Sequence, residues 1–254
     1  MNFEINKLEN NNLYLKDFFS NSVIQVNKLV NKNICLKALD YFFLNEERLI
    51  EKYKHDSKGL VLDEVNKKYF IKYFEYPLSE NFAHFGPFVN NRIINLASKL
   101  LNSDVYLRSM EIHTRGPGAT EIPPHQDNGY YGLNDSDALT FYIALNPQSA
   151  AKGGLTYISN KQGIEFEHTG SKSKAFSLSI RDEILPKDNK LIRPNYDVGD
   201  CTIHHANSIH FATPIDNSSE FRSVVVRLTF FTPNSTVKEG HIEWYQKLLK
   251  ANRG

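Results

Sequence analysis

The chain has 254 residues with 30 basic and 29 acidic side chains, and its formal net charge of +1 gives no electrostatic case for nucleic acid as a partner. Hydrophobic residues make up 41%, enough for a real core, yet no run of about 18 apolar residues offers a membrane span. Cys35 and Cys201 are too few for a disulfide scaffold, and Met1-Asn2-Phe3-Glu4 opens no apolar secretory segment, so the expected setting is reducing and cytoplasmic.

Residues 1–104 read as mainly helical support. Phe18-Phe19 and Val23-Ile24 flank a turn or helix-start signal at Ser20-Asn21-Ser22, and from Asn33 to Tyr53 apolar residues recur at helical spacing (Leu36, Leu39, Phe42, Phe43, Leu49, Ile50). Residues 61–77 fit either a helix or paired strands. After Pro87, Ile93–Leu101 reads as a helix ended by Asn102-Ser103-Asp104.

From Val105 the pattern changes to short β-like runs: Val105–Thr114, Leu139–Leu145, Leu155–Ser159, Ala175–Ile180, Cys201–His205 and Val224–Phe231. Turn signals separate them at Gly116-Pro117-Gly118, Asn146-Pro147, Lys152-Gly153-Gly154 and Val198-Gly199-Asp200. Many short strands at regular spacing suggest a sandwich or closed barrel. Glu243–Leu249 returns to helix. The expected organisation is a single domain over 1–254, with the β core at 105–232 and a C-terminal helix at 233–254.

The stretch carrying chemistry is Pro123-Pro124-His125-Gln126-Asp127-Asn128-Gly129-Tyr130-Tyr131-Gly132. In an extended segment, His125 and Asp127 point to one face and together can chelate an ion. A third ligand is sought in Gly199-Asp200-Cys201-Thr202-Ile203-His204-His205-Ala206-Asn207-Ser208-Ile209-His210. Two histidines and one carboxylate with the other positions open suit non-haem Fe(II) and its reaction with O2. Zn(II) in a hydrolytic or isomerising site accepts the same donors. Cys201 reads as a small core residue and not a reactive thiol.

Several signatures occur in one order: Arg115-Gly116-Pro117-Gly118 before Pro124-His125-Gln126-Asp127, then Leu139–Asn146, Gly153-Gly154-Leu155, Gly199-Asp200, His205, His210 and Asn217-Ser218-Ser219-x-x-Arg222. Over roughly residues 82–232 this resembles the phytanoyl-CoA hydroxylase-like family of Fe(II)/2-oxoglutarate dioxygenases. The resemblance implies a mainly β fold with flanking helices and a double-stranded β-helix (jelly-roll, cupin-like) core. It implies iron ligands His125, Asp127 and His210, and Arg222 on the distal carboxylate of 2-oxoglutarate. Tyr142 and Gln126 are expected beside the cosubstrate, and Asn128, Tyr130 and Tyr131 in the substrate pocket. Arg227 is the rival of Arg222 and reads as a strand arginine at the core rim. His205 reads as lying behind the ligands or in the core, and His113 and His204 as structural.

The implied reaction consumes O2 and 2-oxoglutarate, releases succinate and CO2, and hydroxylates a C–H bond, with desaturation or cyclisation as related outcomes. No side chain beyond the metal centre is assigned a catalytic role. Halogenating relatives replace the carboxylate with a small residue, so Asp127 favours hydroxylation. The expected partner is a small-molecule substrate, with no nucleic acid and no membrane, for a monomer or homodimer. Arg108, Arg115, Lys172 and Lys174 are weighed as contacts for an anionic substrate and read as solvated charges. The alternative is a non-redox metal-binding cupin-like protein, either a sensor or a Zn-type hydrolase or isomerase. Arg222 sits one position later after the distal histidine than is usual in the family.

Overall fold

The structure is a computed structural model and describes residues 2–4, 13–65, 68–171, 177–186, 188, 190–216, 219 and 221–251; Lys172, Lys174 and the start of the expected Ala175 strand lie outside them. Strand β1 (Asn2–Glu4) and helix α1 (Leu13–Asn21) precede β2 (Val23–Asn27) and the long α2 (Lys32–Tyr53). Next come β3 (Leu60–Val65), β4 (Lys68–Phe74), the short α3 (Pro77–Glu80) and α4 (Phe82–Phe85), and α5 (Asn91–Leu101). The remaining strands are β5 (Tyr106–Arg115), β6 (Ile122–His125), β7 (Ala138–Ala144), β8 (Thr156–Ile158), β9 (His168–Gly170), β10 (Leu178–Ile180), β11 (Leu191–Ile192), β12 (Cys201–His205), β13 (Ile209–Ala212) and β14 (Ser223–Phe231). Helical turn α6 (Asn128–Tyr131) follows β6, and α7 (His241–Ala251) comes after β14.

An eight-stranded sheet in the order β1-β2-β12-β7-β14-β5-β4-β3 faces a four-stranded sheet, β11-β8-β13-β6, giving a jelly roll. Along β14, Val224, Val226, Leu228 and Phe230 point away from the small sheet into the main core. That core also takes Phe42 and Leu49 of α2 and Ile93, Leu96 and Leu100 of α5. The alternate residues Ser223, Val225 and Arg227 face between the sheets, as the two-residue period of a strand requires. α5 forms where the apolar spacing predicts it. Asn90 caps its N-terminus by accepting from the Ile93 N–H, and Asn102 ends it with φ of +49°.

The first 104 residues hold more than helices. β1, β2, β3 and β4 extend the large sheet on both flanks, with Val23–His204 and Tyr73–His113 among the paired residues. β2 is buried on both faces over Val23–Val26, so its sequence shows a short apolar run without the alternation that marks a half-exposed strand. Among the described residues no helix is long and apolar enough to cross a membrane. Both cysteines are free and buried, and burial pushes the Cys35 thiol up to about 12, which makes it inert as a nucleophile.

Candidate metal centre and cavity

Strand pairing brings the two histidines together. β13 runs antiparallel to β6 with His210 opposite His125, and the two imidazoles stand 4.2 Å apart between centroids. Asp127 arrives differently from the expected strand alternation. β6 ends at His125, and Asp127 adopts helical dihedrals (φ −58°, ψ −33°) as the residue before α6, so a strand-to-helix turn swings its carboxylate back over the histidines. Donor atoms of His125, Asp127 and His210 then lie within 4.8 Å of one another, all three residues buried.

The surrounding hydrogen bonds orient each donor. His125 Nδ1 meets the Pro123 carbonyl at 2.8 Å and His210 Nδ1 meets the Ser208 carbonyl at 3.0 Å. A carbonyl can only accept, so both rings carry the proton on Nδ1 and turn an Nε2 lone pair toward the ion site. Asp127 Oδ2 accepts three bonds: from Thr140 Oγ1 at 2.7 Å, Arg227 Nη2 at 2.7 Å and His204 Nε2 at 3.2 Å. Oδ1, 3.8 Å from His210 Nε2, is therefore the oxygen for a metal. Two neutral imidazoles and one carboxylate oxygen on one side of a point fit a divalent ion with its opposite side open.

Burial opposes charge on Asp127, but the Arg227 guanidinium and the His204 bond outweigh it and hold the carboxyl well below its usual range. Burial likewise depresses His125 and His210, keeping them neutral, the form a metal requires. Arg227 also donates to Glu111 Oε2 at 2.9 Å and to the Tyr131 hydroxyl at 2.6 Å. Burial would raise Glu111, yet Arg227, His113 and Ser109 bring it down to about 2. Arg227 is thus not a plain rim arginine but the group that holds the ligand carboxylate in place.

His204, read from sequence as structural, faces this site, while His205 turns the other way, edge-on to Phe18. A directed chain of bonds fixes His204. Tyr196 donates to Thr202 Oγ1 (3.1 Å), Thr202 to the Tyr157 hydroxyl (2.8 Å), Tyr157 to His204 Nδ1 (3.1 Å) and His204 to Asp127. In that order each hydroxyl hydrogen is used once. The sequence carries a trace of this in the even spacing of Thr202 and His204 on β12. Asn160 braces the distal ligand by accepting from the Ile209 N–H and donating to the Asn207 carbonyl.

The triad opens into a cavity of about 440 Å3 between the sheets. Of the sequence-predicted residues, Tyr130, Tyr131 and Tyr142 line it, together with Glu111, His113, Arg115 and His204. Tyr130 stands edge-on to His125 at 5.5 Å. Three other expectations need correction. Gln126 is fully buried and spends its amide on the Ile164 and Asn207 carbonyls and the Phe166 N–H, so it braces the loop and does not face the cavity. Asn128 is equally buried and binds Leu133 through both its carbonyl and its amide, closing the turn after α6.

Arg222 points to the opposite face of β14. There it forms a two-pronged pair with Glu46 of α2 at 2.6 and 2.7 Å, donates to the Ile71 carbonyl, and lies among the rings of Phe42, Phe43 and Phe70. Arg108 is not among the cavity-lining residues. Arg115, expected as a solvated charge, does line the cavity and is buried.

The phytanoyl-CoA dioxygenase (PhyH) family profile matches residues 37–224. A curated relative, the probable alpha-ketoglutarate-dependent hypophosphite dioxygenase of Stutzerimonas stutzeri, is 26% identical over 143 residues, 54% of this chain and 49% of that protein. The chain therefore matches about half the length of that relative. Among solved structures, EctD from S. alaskensis with 2-oxoglutarate and 5-hydroxyectoine superposes with a TM-score of 0.68 at 15% identity, covering 90% of this chain and 78% of that one. The non-heme alpha ketoglutarate dependent carbocyclase SnoK from nogalamycin biosynthesis gives 0.65 at 16% identity, covering 93% and 91%. The epimerase SnoN from the same biosynthesis gives 0.66 at 15% identity, covering 90% and 87%. These likenesses are of fold.

Proposed function

The chain belongs to the phytanoyl-CoA dioxygenase (PhyH) family, and from that premise we propose that it is an Fe(II)- and 2-oxoglutarate-dependent oxygenase. Its proposed reaction is hydroxylation of an unactivated C–H bond in a small molecule, with release of succinate and CO2. The observation that carries this reading is the buried His125–Asp127–His210 set, whose carboxylate offers one oxygen while three donors occupy the other. When bound, Fe(II) with 2-oxoglutarate supplies the activation of O2 that no side chain can provide.

The chain's own residues supply position and shielding. The Pro123 and Ser208 carbonyls lock the ligand imidazoles, and Thr140, Arg227 and His204 occupy one oxygen of Asp127, so that the other would be the one to hold the ion. Tyr130, Tyr131 and Tyr142 wall the space beside the ion site and exclude bulk water. An intact Asp127 leaves no ligand position for a halide and supports hydroxylation. Lys72, Tyr73, His113 and Tyr245 also line the cavity, a polar and aromatic set suited to a small polar substrate. The hypophosphite of the curated relative's name is not carried over, because the shared identity supports the class of reaction and not its substrate.

The test is anaerobic. Apo protein receives Fe(II) and then 2-oxoglutarate while visible absorption is followed. Chelation of the iron by the keto acid is expected to give a weak metal-to-ligand charge-transfer band, absent in Asp127→Ala. A folded, iron-loaded protein without the band would overturn the reading and leave a metal site without this redox chemistry.

A further inference from the structure

Three arginines reach the end of the β5–β14 ladder or its inner face, and their counter-ions differ. Arg227 is neutralised by Asp127 and Glu111, and Arg222 by Glu46. Arg115 is buried to the same degree as a core side chain, with 7% of its surface exposed, and it pairs with no carboxylate among the described residues. Its partners are three backbone carbonyls: Thr120 and Thr213 at 2.8 Å from Nη2, and Gly153 at 3.3 Å from Nη1. A guanidinium has five N–H donors and keeps its charge at any ordinary pH, so these neutral acceptors leave both donor capacity and charge unmet. A buried cation in this condition is complete only with an anion.

The register says where that anion would lie. Arg115 stands opposite Ser223, His113 opposite Val225 and Glu111 opposite Arg227, all on the face lining the cavity. Arg227 reaches the metal-ligand carboxylate. Arg115 stands four residues along the same inner face, about 13 Å by strand rise, at the far end of the same space. Ile122 and Leu155 line the cavity with it, giving apolar wall of the kind a short methylene chain requires, and Tyr142 adds a ring.

The anchor is also held rigidly. Its carbonyl acceptors come from three segments: before β6, after β13 and at the turn before β8. At that last turn Gly153 has φ of +85°, and a Cβ there would come within 2.8 Å of Ser223 Oγ and 3.3 Å of Arg115 Cβ. The close approach of this turn to Arg115 therefore needs glycine.

We propose that Arg115, on β5, binds the distal carboxylate of the 2-oxo dicarboxylate cosubstrate, the task the sequence pattern assigns to Arg222. This rests on the reading of the site as a 2-oxoglutarate oxygenase, and the test separates the two. Protein loaded with Mn(II), which binds without turnover, is titrated by calorimetry with 2-oxoglutarate and with 2-oxopentanoate. These two five-carbon acids differ in the distal carboxylate alone. The wild type is expected to prefer the dicarboxylate by about 100-fold, the scale of a charge-assisted hydrogen bond from the donors Arg115 leaves free, Nε–H and one Nη1–H. Arg115→Gln should reduce the preference to a few-fold while binding 2-oxopentanoate as the wild type does, which also reports that the variant is folded.

Arg115→Lys, which keeps the charge and loses the guanidinium plane held by the three carbonyls, should fall between them, and Arg222→Lys should retain the full preference. A folding-independent readout is the Arg115 side-chain 15Nε resonance of the wild type, expected to shift with 2-oxoglutarate and not with 2-oxopentanoate. Retention of the preference in Arg115→Gln, its loss in Arg222→Lys, or equal binding of the two acids by the wild type would overturn the proposal alone. A wild type that binds neither acid would overturn the oxygenase reading itself.

Discussion

At Asp127 Oδ2 three donors converge on one oxygen, and each is a separate handle on the metal site. Thr140→Val keeps the shape of the side chain and removes the shortest neutral donor, at 2.7 Å. We expect metal affinity to fall about 10- to 100-fold, the usual cost of losing a group that orients a ligand. Competition with a chromophoric chelator measures it, and unchanged affinity would mean that Arg227 and His204 suffice. The ligands themselves were legible because His125-Gln126-Asp127 is a local motif and His210 closes a recognisable pattern. The turn that unites them was not, since two side chains can share a site through strand alternation or through a strand-to-helix bend, and spacing alone does not choose. Arg222 shows the same limit more sharply. It sits one position later than the family pattern, and in a strand a one-residue slip moves a side chain to the other face. Position 221 has the parity of Ser223, Val225 and Arg227; position 222 has that of the core residues Val224 and Val226.

Between elements, the Arg222–Glu46 pair joins the start of β14 to the middle of α2. Glu46 also accepts from the Ile71 N–H at 2.7 Å, so a single carboxylate ties α2 to β4 and β14 together. Glu46→Ala strands a largely buried guanidinium and should cost about 3 kcal/mol. A urea midpoint lowered at constant m would show this, and Mn(II) and 2-oxoglutarate affinities should remain those of the wild type. A loss of cosubstrate binding in step with stability would instead tie this pair to the site. β5, β7, β8, β10, β12 and β14 were readable from their β-branched and aromatic runs and the glycine and proline turns between them, whereas the short β6, β9, β11 and β13 were not. β2 was not, because a short strand buried over Val23–Val26 carries no alternation, and nothing local announces that Val23–His204 pairing will place it beside β12.

For the whole molecule, buried neutral histidines set the acid limit of stability. Burial pushes His168 from 6.5 down to about 4, and burial together with neighbouring His204 does the same to His205. Below pH 6.5 the unfolded chain takes up protons at these positions that the folded chain refuses. Stability is therefore flat above pH 6.5 and falls as the pH drops toward 4, by about 3 kcal/mol for each group. Glu111, held at about 2, keeps its contribution above its ordinary value of 4.5 and loses it as the pH falls from there toward 2. Urea titrations from pH 7.5 to 4.5 should show the decline, with a shallower slope in His205→Gln; a level profile would contradict the buried neutral state.

The prolines of the metal motif have a mechanical consequence. Pro123 and Pro124 have no N–H to offer, and β6 is accordingly the last strand of its sheet. The β9–β10 ribbon forms a separate two-stranded sheet, and among the described residues no backbone hydrogen bond joins it to β6. Contact across that boundary is made by side chains, such as His168 accepting from the Gln126 N–H at 3.0 Å. The strand that carries a metal ligand thus borders a seam, and the wall beyond it can breathe without unzipping a ladder while the ligand stays fixed from its other side by β13.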